Sequence, residues 1–148
     1  KHYLSKLYVD CGNEFNEQDT TTCKVDEGTS RINFNVSRFE GRKGVRFDPV
    51  DCPVCIKIES IELLGKEISV QLDIDAILSN ATCIDERQMM FATDDPLIFL
   101  ALDEPELCKV DKIAVSLSYE CFGEEALNRI VDYQKKLIAK FLAGGDGL

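Results

Sequence analysis

The sequence predicts a mainly β protein: two antiparallel sheets packed as a jelly-roll-like β-sandwich, followed by a C-terminal α-helix. Three observations carry this. Residues 3–121 hold a succession of short segments in which apolar and polar residues alternate, and strict alternation places one face of a strand in a core and the other in water. Turn-forming residues separate the segments, and eight or nine such strands with one apolar face each close most simply as two packed sheets. After Phe122-Gly123 the apolar period lengthens to that of a helix. The expected division is therefore a sandwich over 1–121 and a helix with a Gly-rich tail over 122–148.

Taken in chain order, residues 6–10 and 21–25 are short strand candidates. Residues 31–39 alternate, with Ile32, Phe34 and Val36 on one face and Asn33, Asn35 and Ser37 on the other. Residues 45–48 follow. Val54, Ile56 and Ile58 then alternate with Cys55, Lys57 and Glu59, and Ile68, Val70, Leu72 and Ile74 with Ser69, Gln71, Asp73 and Asp75. A short turn is expected over 75–80, then strands over 89–92 and 97–102. Ile113, Val115, Leu117 and Tyr119 alternate with Ala114, Ser116, Ser118 and Glu120. No helix is evident before residue 122. From Glu124 to Leu142 the apolar residues form a stripe, with Glu124 and Glu125 at the N-terminal end and Lys135, Lys136 and Lys140 towards the other, which complements the helix dipole. Leu127, Ile130, Gln134, Leu137 and Phe141 fit a heptad register, leaving open whether this helix folds back on the sandwich or self-associates as a homodimer. Gly144, Gly145 and Gly147 read as a stop followed by a linker.

The 148 residues carry 17 Lys plus Arg against 27 Asp plus Glu, a formal charge of −10. That excess argues against nucleic acid, whose phosphates demand the opposite balance, and against anionic membrane surfaces. No run approaches the ~18 apolar residues of a membrane span. Because it opens on Lys1 instead of Met, the chain reads as a segment of a longer protein. Seven cysteines (Cys11, Cys23, Cys52, Cys55, Cys83, Cys108 and Cys121) are an odd, irregular set. Reduced thiols in the cytoplasm are the simpler reading of it.

Catalytic constellations are thin, and no catalytic residue is assigned. Cys52-Pro-Val-Cys55 has the spacing of a redox pair, but Cys55 falls in an alternating strand instead of at the helix N-terminus that such a thiol needs. His2, the one histidine, stands at the chain end and supplies no base for a Ser or Cys nucleophile. Asp94-Asp95, or Asp48 with Asp51, could serve as paired carboxylates, but Asp-Asp-Pro more simply forms a turn. Asp10, Glu14, Asp48, Asp51, Asp94 and Asp95 stand at expected strand ends, where loops gather hard oxygen ligands, so a structural Ca²⁺ on Asp10, Asp48, Asp94 and Asp95 is one expectation. Arg31, Arg38, Arg42, Lys43 and Arg46 make a basic run that is either a docking patch for an acidic group or a solvated hairpin edge.

Several strings, in order, resemble a β-sandwich accessory module of large multidomain bacterial glycosyltransferases that assemble cell-surface polysaccharide. They are Leu7-Tyr8-Val9-Asp10-Cys11-Gly12 with Phe15-Asn16-Glu17, then Val45-Arg46-Phe47-Asp48-Pro49, then Phe91-Ala92-Thr93-Asp94-Asp95-Pro96-Leu97-Ile98, and the helical tail. The likeness spans about residues 6–143. It implies a noncatalytic domain whose partners are the parent chain's own transferase or methyltransferase domains. The transferases' nucleotide-sugar and metal residues lie in those other domains, so no cofactor falls to this segment. Tyr8 and Phe47 are expected in the core.

Two functions follow. In the first the module engages carbohydrate through a polar outer sheet face carrying Asn33, Asn35, Gln71, Asp73, Ser116 and Ser118, although it has no Trp on which a sugar ring could stack. In the second it is a structural module that positions catalytic domains and associates through its C-terminal helix.

Overall fold

The computed structural model describes residues 2–144; Gly145 and Gly147, assigned to the tail, lie outside the described residues. Among these, eleven strands form the sandwich: β1 (Tyr3–Asp10), β2 (Thr20–Val25), β3 (Arg31–Asn35), β4 (Gly44–Asp48), β5 (Val54–Leu64), β6 (Ser69–Gln71), β7 (Leu78–Ser79), β8 (Cys83–Asp85), β9 (Gln88–Phe91), β10 (Ile98–Leu100) and β11 (Lys112–Phe122). Sheet A has the order β2-β1-β4-β10-β7 and sheet B the order β3-β11-β5-β9-β8, with β6 beside the far end of β5. Every pairing is antiparallel. The chain repeatedly crosses between layers, so strands distant in sequence become neighbours. A one-turn helix α1 (Glu104–Leu107) leads into β11, and α2 (Glu124–Leu142) follows it.

Between the sheets lies a core of 25 buried residues, among them Leu7, Val9, Phe34, Phe47, Ile56, Ile58, Phe91, Ile98, Ile113 and Val115. These are the apolar members of the alternating segments, drawn inward because burying them removes about 25 cal/mol of unfavourable hydration per Å². Phe34 and Phe47 meet across the layers edge to face, with centroids 5.9 Å apart.

The structure differs from the sequence reading where side chains or edges override periodicity. β3 stops at Asn35 instead of running to 39, because the Asn35 Oδ1 accepts from both the Ser37 N–H and its hydroxyl and turns the chain. Of the expected strand 68–75 only β6 forms, and all three of its residues are exposed. The Asp73 carboxylate then accepts from the Asp75 N–H and caps a single 3₁₀ turn, Ile74–Ala76. Strand β7, which falls within the turn expected over 75–80, strand β8 and helix α1 have no counterpart in the sequence reading; each is two to four residues long, too short to show a period. Gly65 marks a position where only glycine fits, since a Cβ there would stand 2.0 Å from the Lys109 carbonyl oxygen.

In the β5–β11 ladder Tyr119 pairs with Ile56 but Cys121 pairs with Cys55, leaving Glu120 as an inserted residue. Such a bulge reverses which face the following side chains take. Tyr119 therefore points into the core and donates its hydroxyl to the Pro49 carbonyl at 3.0 Å, whereas Cys121 turns to the outer face. There Cys121, Cys55 and Met90 form a small second cluster with Ala126 and Ile130 of α2. Gly123, with φ 60° and ψ −130°, is the one residue joining β11 to α2. No helix among the described residues is long and apolar enough to cross a membrane.

Candidate functional site

Of the polar residues chosen from the sequence, Asn33, Asn35, Gln71, Ser116 and Ser118 lie on strands of sheet B, whereas Asp73 lies beyond β6 at the cap of the 3₁₀ turn. Register places Asn33 beside Ala114, Ala114 beside Glu62 and Glu62 beside Gln71 in one row. Three of the six turn hydrogen-bonding capacity onto the chain itself: Ser116 accepts from Arg31 at 3.1 Å, Asn35 holds its own turn and Asp73 caps the 3₁₀ segment. Ser118 lies across from Lys57. No aromatic residue occupies these rows. Tyr3 is stacked on Phe122 at 4.0 Å, and Tyr133 is half-buried beside the second cluster, so neither offers a free ring.

The opposite layer is different. On the outer face of sheet A, register lines up Thr20, Tyr8, Arg46, Phe99 and Leu78 across five strands. Tyr8 is buried, as expected, but outside the core: the Arg46 guanidinium covers its ring at 4.2 Å. Phe15, carried by the β1–β2 loop, folds back over Gly44 and approaches Arg46 at 5.4 Å. Its ring meets that of Phe99 at 6.0 Å with a 54° tilt. Phe99 remains 39% exposed, and beside it Leu78 is open to solvent. Two rings thus form a shallow V beside a cation.

That cation is held rigidly. Arg46 donates Nε to Asp48 Oδ1 at 2.8 Å and Nη2 to Asp48 Oδ2 at 3.0 Å, a fork-to-fork pair. Burial pushes the Asp48 carboxyl above its ordinary value against the pull of Arg46. On the adjacent strand β1, the Tyr8 hydroxyl donates to Glu17 at 2.7 Å and the Lys6 ammonium to the same carboxylate at 3.3 Å. These two bonds, the tyrosine's first, hold the Glu17 carboxyl below its ordinary value. The result is an aromatic surface flanked by fixed donors and acceptors. Alternation in the Val45-Arg46-Phe47-Asp48 string dictates half of it: Val45 and Phe47 go inward, Arg46 and Asp48 outward.

The acidic residues weighed for Ca²⁺ are placed apart or engaged. Asp10 accepts from the Gly12 N–H at 2.8 Å, Asp48 is paired with Arg46, and the Asp95 carboxylate is exposed in its turn, where its charge adds to the upward shift of Asp48. Glu14 and Asp51 lie exposed in loops, as does Asp94. Among the described residues no three His, Cys, Asp or Glu side chains converge as a metal site would require. The basic run also disperses. Arg31 meets Glu62 at 3.1 Å, Arg38 covers the Phe39 ring, and Arg42 donates to the carbonyls of Val36, Val110 and Cys108. These arginines stitch loops together and do not form one patch.

All seven cysteines are unbridged. Cys55 lies under α2, where burial and the neighbouring Cys121 thiol push its pKa up to about 12, the reverse of an activated thiolate. His2 is exposed, 3.9 Å from Asp26. A groove of about 780 Å³ runs between α2 and the β8–β9 pair, lined by Asp85, Gln88, Arg129, Asp132 and Lys136 among others; its charges alternate in sign. No family model matches the chain, and no match is found among curated proteins or among solved structures.

Proposed function

We propose that this chain is a noncatalytic binding module that engages carbohydrate through the outer face of sheet A. The observation that carries the reading is the half-exposed Phe99 ring, set against Phe15 and flanked by the locked Arg46–Asp48 pair. A pyranose has an apolar C–H face and a rim of hydroxyls. An aromatic ring takes the first, and charged side chains held in place take the second with little ordering cost. Arg46 uses Nε and Nη2 on Asp48, so in this reading Nη1 is the donor left for a sugar hydroxyl. This moves the proposed site from Asn33, Asn35, Gln71, Asp73, Ser116 and Ser118 to the opposite layer, where the missing tryptophan is replaced by two phenylalanines.

The strings that resemble accessory modules of polysaccharide-assembling transferases suggest the same context, with catalytic domains elsewhere in a cytoplasmic parent chain. Seven unbridged thiols accord with a reducing compartment. The test is titration of the 148-residue chain against a panel of neutral and acidic bacterial glycans, compared with Phe99→Ala and Asn33→Ala. Binding that falls at least tenfold in Phe99→Ala and is unchanged in Asn33→Ala supports the reading. Absence of any glycan binding, or loss only in Asn33→Ala, overturns it.

A further inference from the structure

The distal half of α2 leaves the sandwich. Ala126 and Ile130 are buried against sheet B, but from Gln134 onward every described residue is exposed. The exposed face of α2 is not polar. Leu127, Val131, Leu137, Ile138, Phe141 and Leu142 are all solvent-exposed, Ile138 at 59% and Leu142 at 76%. A surface helix normally hides such a stripe.

Docking also selects the seam. The register through Leu127, Ile130, Gln134, Leu137 and Phe141 loses Ile130 to the sandwich. The stripe left facing outward runs Leu127, Val131, Gln134, Ile138 and Phe141, spaced four, three, four and three residues apart, which is again a heptad seam. Read backwards the seam is nearly the same, with Gln134 mapping onto itself. Its charge is polar end to end: Glu124 and Glu125 occupy the first turn, Lys135, Lys136 and Lys140 the last two. Laid parallel, two copies would set like charges against like. Laid antiparallel, each acidic end meets a basic end and the two Gln134 amides meet at the centre, where a polar pair fixes register.

We propose that the occupant of this seam is a second copy of the same chain, with the two α2 helices packed antiparallel and the two sandwiches at opposite ends. This inference is independent of the carbohydrate reading, because the seam and the sheet A platform share no residue. α2 is about 28 Å long at 1.5 Å per residue, so the dimer is a dumbbell, with the sheet A faces outside the contact.

The experiment is light scattering on size-exclusion chromatography of the 148-residue chain over a concentration series, with small-angle X-ray scattering on the same samples. The expected result is concentration-dependent growth from 16.6 kDa to twice that mass, and an elongated particle whose distance distribution has two maxima. Ile138→Glu lies on the exposed half of α2 and leaves the sandwich intact; it is expected to return the chain to monomer with unchanged helical circular dichroism. A chain that stays monomeric at hundreds of micromolar, or a dimer that survives Ile138→Glu, overturns the interface. A dimer with a single compact maximum overturns the antiparallel arrangement.

Discussion

Replacing Ile130 by alanine should release α2 while leaving the sandwich folded. α2 is attached through a cluster of only five buried residues, Cys55, Met90, Cys121, Ala126 and Ile130, which are separate from the 25 that fill the space between the sheets. Ile130→Ala removes three carbons from the centre of that cluster. At about 0.8 kcal/mol per buried methylene this loses about 2.4 kcal/mol, and the unfilled space brings the total to about 3 kcal/mol. An undocked helix of this length is marginal in water, so undocking and melting of α2 coincide. With each 1.4 kcal/mol worth a factor of ten, its opening equilibrium should rise by about two orders of magnitude. Hydrogen exchange reads this directly: amides over 127–133 should exchange about 100-fold faster while those of β5 and β11 keep their protection. If protection falls uniformly across both sheets, the helix belongs to the main cooperative unit and the separation into two clusters has no energetic meaning.

Two further outcomes follow from the side-chain chemistry. Because the Tyr8 hydroxyl is the leading cause of the low Glu17 pKa, Tyr8→Phe should move the Glu17 titration up towards 4.5, followed by NMR. The sign is fixed by linkage: a depressed carboxyl contributes stability above its unfolded pKa and loses it as pH falls through the folded value. An unmoved titration would exclude the bond as its cause. Among the thiols, exposed Cys108 should react with an aromatic disulfide reagent at once, while Cys55 and Cys121, buried and with raised pKa values, should react only on unfolding; a Cys55 as fast as Cys108 would refute that ordering.

What could be read in the sequence were the parts governed by local periodicity. Ile32 and Phe34, Val45 and Phe47, and Ile113 through Tyr119 each announce an inward face, and α2 runs between the residues its stripe and charges predict. What could not be read needs register between distant strands. Tyr8, Arg46 and Phe99 form a row because β4 lies between β1 and β10, and no spacing within a chain states that order. Tyr8 shows the same limit within one residue: its burial is legible from its type, but not that Arg46 rather than the core covers it. The Glu120 bulge is equally hidden, because an inserted residue breaks the alternation it ought to continue.

The single-residue link at Gly123 has a mechanical consequence. A pull on α2 is delivered straight to β11, which is laddered to β3 on one side and to β5 along nearly its whole length on the other. Load applied along such an interior strand is shared by many hydrogen bonds in shear instead of opening them one by one. Once α2 has peeled from its five-residue cluster, the sandwich is therefore built to hold tension passed along the helix.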